Sequence, residues 1–220
     1  MLQPIMHVLN AKKIVLASGS PRRKQILENI GLKFEVIPSL FEENLDKTKF
    51  EHVYDFVKET ARKKVLDVAM RMGKQKTCSD LYIGADTVVT MDNQIYEKPT
   101  SVENAFETLS KFSGRYHTVY TGVVLLRPKA DGCLTSEEGY HMSQFHETTE
   151  VLMTDMTPEV IQAYIDTGEP MDKAGGYGIQ ALGSTLVEGI KGDYFNVMGF
   201  PVFRFAKELV SLYGQPNKET

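Results

Sequence analysis

The chain is poor in the features that mark secreted, membrane-spanning or nucleic-acid-coating proteins. It has two cysteines, Cys78 and Cys133, both in polar, loop-like stretches. That usage suits a reducing compartment and offers no metal-ligand spacing. No apolar run approaches the length of a membrane span. The N-terminal residues carry no basic segment ahead of a long apolar run, so no signal peptide is expected. The expected location is the cytoplasm, with no membrane partner. Positive charge is not in excess: the formal net charge is −4. That argues against the broad basic field a nucleic-acid polymer needs, while leaving room for a local pocket that takes one small anion. The five histidines, His7, His52, His117, His141 and His146, do not cluster as metal ligands. There is no nucleophile elbow, redox cysteine pair, internal repeat or low-complexity tract.

What is present is an ordinary globular composition, 42% hydrophobic and 25% charged over 220 residues. The length suits one substantial core or two lobes around a cleft. Lys13–Leu16 reads as a short strand, and Pro21–Ile30 as a helix capped by Ser20 with Pro21 at its first position. A strand follows at Phe34–Ile37, then an acidic loop. From Glu51 to Met72 the residues Val53, Val57, Ala61, Val65, Val68 and Met72 form one helical stripe, with Gly73 as its stop. Leu81–Ala85 is an apolar strand core followed by Asp86 and Thr87, and Asp92-Asn93 is a hairpin signal. Ser101 caps a helix to Phe112. Strands are expected near Tyr116–Leu126, Tyr140–Met153 and Leu186–Ile190. Further helices run from Thr157 to about Gly168 and from Pro201 to Tyr213. The interleaving predicts an α/β fold with a mixed sheet.

Several residues carry chemistry. Ser18-Gly19-Ser20-Pro21-Arg22-Arg23 joins a strand to a helix N-terminus, whose unpaired N–H groups and dipole attract anions. Two arginines add fixed charge there. It lacks the glycine spacing and Lys-Ser/Thr end of a Walker loop. Asp86, after a strand core, is placed to act as a general base, to hold a metal, or simply to cap a turn. Lys64 lies at the edge of its helix stripe, and Pro99 holds Lys98 extended. Glu43 lies in the acidic loop. Three glycines in the four positions Gly175–Gly178 point to positive φ or close approach. Gln180 behind them offers a donor and an acceptor suited to a base edge.

Taken in chain order these segments resemble the Maf family of nucleoside-triphosphate pyrophosphatases. The matching pieces are Ser18–Arg23, Glu42-Glu43, Ala61–Lys64, Gly84–Thr87, Glu97–Pro99, Leu109–Gly114 and Asp172–Gln180. The resemblance runs from about Ile14 to Tyr213, and 1–220 is taken as a single Maf-like domain with its core at 13–213. It is especially similar to the Maf-like N-terminal part of acetylserotonin O-methyltransferase-like proteins, and ends where a methyltransferase domain begins in those. The resemblance implies a twisted mixed sheet with two lobes around a cleft, as in inosine-triphosphate pyrophosphatases, and often a homodimer. It implies hydrolysis of a nucleoside triphosphate to the monophosphate and pyrophosphate with Mg²⁺ or Mn²⁺. Asp86 takes the catalytic position. Ser18, Arg22, Arg23, Glu43, Lys64, Thr87, Lys98 and Gln180 fall at substrate-binding positions. Which carboxylate meets the metal stays open. Arg22, Thr87 and Gln180 match the branch that acts on dTTP and UTP. Ser184, where glycine is common in relatives, is a local departure. The alternatives are a nucleotide-binding module without turnover, or a 7-methyl-GTP-preferring enzyme.

Overall fold

The computed structural model describes residues 1–129 and 134–214. In chain order it runs α1 (Met6–Asn10), β1 (Ile14–Leu16), α2 (Pro21–Asn29), β2 (Glu35–Val36), α3 (Val53–Lys74), β3 (Leu81–Met91) and β4 (Gln94–Tyr96). It continues with α4 (Val102–Phe112), β5 (Tyr116–Pro128), β6 (Tyr140–Met153), α5 (Pro158–Asp166), β7 (Val187–Lys191), α6 (Tyr194–Met198) and α7 (Val202–Tyr213). The strands form one mixed sheet in the order β2-β1-β3-β5-β6-β7, with β4 on β3. This is the α/β class that the interleaved pattern predicts.

Local chemistry explains several of these boundaries. The Ser20 hydroxyl accepts the Arg23 N–H at 3.4 Å and opens α2. Ser101 does the same for Asn104 at α4, and Thr157 for Val160 at α5. Each satisfies one of the orphan donors of a helix start. Asp92 and Asn93 have φ of +51° and +59°. They form a two-residue connection between Met91 and Gln94, which pair across the β3–β4 hairpin. Positive φ at both positions twists the turn the same way as its strands.

The chain divides into two compact units. One comprises Met1–Asp86, Gly122–Phe145 and Pro201–Thr220; the other comprises Thr87–Thr121 and His146–Phe200. In the first, β1 pairs in parallel with β2 and with β3, Leu16 lying opposite Val36 and Ile83. Its core packs the apolar stripe of α3 (Ala61, Val65, Val68, Ala69, Met72) against Val15, Tyr82, Val124 and Leu126. In the second, Val89, Leu109, Phe112, Val151, Met153 and Ile165 lie at the centre of a separate core.

Three expectations are corrected. Gly73 does not end α3, which continues to Lys74 and is capped at Gln75. A side chain at Gly73 would strike the carbonyl of Leu134. The glycine is there to let a neighbouring segment approach, not to stop the helix. Asp86 does not follow a strand: β3 is unbroken through it to Met91. Alternating burial is the usual sign of an exposed face, and β3 is buried almost throughout, so its polar residues read as a break. Short helices α1 and α6 had no periodic signal long enough to be seen. Cys78 is disulfide-bonded, which a reading of both cysteines as suited to a reducing compartment did not anticipate; Cys133 lies outside the described residues. No helix among the described residues is long and apolar enough to cross a membrane.

Candidate active site

The first unit gathers six of the candidate residues. β1 ends at Leu16, and the chain turns through Ser18 into α2 while β3 runs on to Asp86. Asp86 therefore lies past the point where its parallel neighbour stops, so a turn begins where the ladder ends. The Ser18 hydroxyl is buried and accepts both the Ser20 N–H at 3.3 Å and Arg23 Nη1 at 3.1 Å. Its own proton is left to donate. Arg22 and Arg23 occupy the first turn of α2, which holds no acidic residue. Two cations at the positive end of a helix are mutually unfavourable unless an anion is at hand. Burial and the adjacent Arg22 hold the Arg23 guanidinium below its ordinary value, opposed by Asp86 and Glu43. It remains a cation at neutral pH.

Lys64 is the hub. Its Nζ donates to Asp86 Oδ1 at 2.7 Å and lies 2.8 Å from Glu43 Oε2. Both Lys64 and Asp86 are nearly buried, whereas Glu43 is exposed. Burial pushes the Asp86 carboxyl above its ordinary value, against the pull of Lys64 and Arg23; Glu43 adds a smaller upward push. A raised carboxyl beside a fixed cation is the pattern of a tuned base.

The sequence places this lysine through glycine. A Cβ on Gly84 would come within 2.7 Å of both the Ala61 carbonyl oxygen and Val65 Cβ. Without it, α3 sits directly on β3 two residues before Asp86, within reach of a lysine side chain. The same edge of α3 holds the loop that carries Glu43. Asp67 Oδ2 accepts the Leu40 N–H at 2.8 Å and the Ser39 hydroxyl at 3.0 Å, and Arg71 donates to the Pro38 carbonyl. Lys64, Asp67 and Arg71 share one face because they are spaced by three and four.

The second unit carries Thr87, Lys98 and Gln180. The Thr87 hydroxyl lies 2.9 Å from that of Thr121 and bonds the Gly199 carbonyl. Lys98 is exposed beside buried Pro99. Gly175 N–H donates to the Glu97 carbonyl at 3.1 Å, tying this segment to the glycine-rich stretch. Gly175 and Gly176 both have φ of +71°, the conformation their residue type predicts. Gln180 is exposed.

Sequence reasoning gave no role to His117, Tyr164 or Glu169, which have no motif spacing to announce them. His117 is 2% exposed, stacks on Phe112 at 4.4 Å and lies 2.7 Å through Nε2 from the Tyr177 hydroxyl. Its Nδ1 has no partner among the described residues. Burial lowers its pKa to about 3. The folded state thus binds a proton less readily than the unfolded chain does. Stability is full above about pH 6.5 and falls with acid from there towards pH 3, at about 1.4 kcal/mol per pH unit for one proton. His117→Phe is expected to flatten the fall in Tm between pH 7 and pH 5. An unchanged slope would mean that other groups govern acid sensitivity.

Over most of its length the chain is similar to proteins of one family. The family model described as "Maf-like protein" matches residues 13–212. A human protein named probable bifunctional dTTP/UTP pyrophosphatase/methyltransferase is 47% identical over 99% of this chain, which spans 35% of that protein's length. A dTTP/UTP pyrophosphatase of Clostridium perfringens is 43% identical over 90% of the chain and 95% of its own length. A nucleoside triphosphate pyrophosphatase of Dictyostelium discoideum is 39% identical over 88% of each. The chain belongs to the Maf family.

Proposed function

We propose that the protein hydrolyses dTTP and UTP to the monophosphate and pyrophosphate. The observation that carries the proposal is the largely buried Lys64–Asp86 pair at 2.7 Å in the unit that holds Arg22 and Arg23. The names of the relatives, over nearly the whole chain, support the substrate class. Water attacks the α-phosphorus; a new P–O bond forms and the bridge to the β-phosphate breaks, its electron pair leaving with pyrophosphate. Asp86 takes the proton from water. Arg22, Arg23 and Lys64 balance the greater part of the roughly four negative charges of the substrate, and Ser18 donates to a phosphate oxygen; Lys98 takes the substrate-binding position that the resemblance gives it. Gln180 reads the base and Thr87 shapes its surroundings.

The carboxylates fit a magnesium or manganese ion. Among the described residues no group of three or more His, Cys, Asp or Glu side chains is gathered to cage a metal. Mg²⁺ characteristically takes one or two carboxylates and completes its shell with waters and substrate phosphates. Asp86 and Glu43 would hold it, and the ion would neutralise phosphate charge. The same reading carries a nucleotide rather than a nucleic-acid polymer as partner, and a homodimer.

The test is pyrophosphate release from dTTP, UTP, CTP, GTP, 7-methyl-GTP and ITP with Mg²⁺ or Mn²⁺. Fastest release from dTTP or UTP is expected. Release from 7-methyl-GTP alone would overturn the substrate assignment. Nucleotides that raise Tm without being consumed would overturn catalysis.

A further inference from the structure

We propose that Tyr164 and Glu169 are positioning residues for base selection, clamping between them the turn that presents Gln180. The proposal rests on the reading of Gln180 as the group that meets the base. Gln180 sits at the tip of a turn closed by the Ala181 N–H on the Gly178 carbonyl at 3.5 Å. It is exposed and flanked only by single turns of helix. An amide on so little regular structure discriminates poorly unless its backbone is fixed, since a mobile side chain follows whatever base is offered.

Side chains from α5 and the turn behind it do the fixing. Before Gln180, the Gly178 N–H donates to the Tyr164 hydroxyl at 3.1 Å. After it, the Leu182 and Gly183 N–H groups donate to Glu169 Oε2 and Oε1, each at 3.0 Å. The two anchors are joined, because the Tyr164 hydroxyl donates to Glu169 Oε1 at 2.9 Å. A Cβ at Gly183 would lie 2.5 Å from the Tyr164 hydroxyl and 2.7 Å from the Gly178 carbonyl. The two legs of the turn are therefore pressed together on that hydroxyl. Burial pushes Tyr164 well above the usual phenol range, and Glu169 adds to the push, so the hydroxyl stays a donor. Hydrogen bonds to a carboxylate are the stronger kind. None of these groups has a part in the phosphate chemistry proposed above.

Pyrimidine and purine edges lie at different distances from the sugar. A fixed amide meets one and misses the other, while a loosened turn accommodates both. The expected signature is lost discrimination, carried by affinity more than by kcat.

The test uses Tyr164→Phe, Glu169→Gln, Glu169→Ala, Gln180→Ala and the double Tyr164→Phe/Gln180→Ala. Calorimetry gives Kd for the α,β-methylene analogues of dTTP and dGTP, and steady-state kinetics gives kcat and KM for the parent nucleotides. Tyr164→Phe should cut the dTTP/dGTP preference about ten-fold, the scale of one hydrogen bond, with KM changing more than kcat. Glu169→Ala should do at least as much, and Glu169→Gln should restore part of it. In the Gln180→Ala background Tyr164→Phe should add nothing to the loss. If Gln180→Ala shifts the preference and Tyr164→Phe leaves it within two-fold, the clamp is wrong. Independent, additive losses would also overturn it. If Gln180→Ala leaves the preference unchanged, the base-reading role of Gln180 fails, and the clamp's functional role fails with it.

Discussion

Asp86→Asn is expected to lower kcat for dTTP by about 10²–10⁴-fold, the usual contribution of a positioned general base, without lowering Tm. The two halves have one cause. Burial raises the carboxyl's pKa above its ordinary value, so the ionised form is disfavoured in the folded chain. Its folded pKa exceeds its unfolded one, and stability falls as pH rises through the interval between them. The ionised form of Asp86 is therefore a cost to the fold, offset in part by Lys64 and Arg23. An asparagine removes that cost, still accepts a hydrogen bond from Lys64, and leaves Glu43 Oε2 at 2.8 Å from the ammonium. Unchanged turnover would remove Asp86 from the chemistry. Lost turnover with a Tm several degrees lower would mean that the carboxylate mainly holds the fold. For the wild type, the acid limb of kcat/KM is expected above the range of an ordinary aspartate.

Gly84→Ala is expected to lower stability by about 1–3 kcal/mol, the usual cost of overpacking. It should also reduce kcat by up to about 10²-fold, the penalty for misplacing a reacting group by an ångström. One of the two atoms within 2.7 Å of the added methyl is a helix carbonyl oxygen and the other a Cβ fixed to the helix backbone. Neither can yield unless α3 moves, and α3 carries Lys64. The control is Gly189→Ala on β7, where a Cβ meets nothing within 4 Å. Thermal melts and dTTP kinetics on both variants decide the matter. Equal behaviour would show that α3 repacks freely and that its seat on β3 does not set the Lys64 position.

These two glycines look alike in the sequence, which illustrates what sequence could and could not supply. Ser20-Pro21 and Asp92-Asn93 were legible because each meets a local requirement: an orphan N–H at a helix start, a positive φ in a tight turn. The stripe of α3 was legible because one helix face is buried. Gly73 misleads because the reason for it, the backbone near Leu134, is about sixty residues away. Asp86 reads as following a strand because a buried polar residue in an almost fully covered strand has no periodic sign. The family resemblance put Glu43, Lys64 and Asp86 in one site, but only three-dimensional packing shows Lys64 touching both carboxylates. Tyr164 and Glu169 were invisible, since a residue that acts by holding another's backbone needs no motif of its own.

Lys64, held between Asp86 and Glu43, would make the proposed site an ion exchanger. The lysine is a resident counter-ion, and with both carboxylates ionised the trio carries a single net negative charge. A divalent cation taking those oxygens must displace the ammonium, and a phosphate taking the ammonium must win it from the oxygens. Each exchange leaves the ion that the other needs without a partner. On the proposed function metal and nucleotide would thereby be thermodynamically linked, each binding more tightly when the other is present.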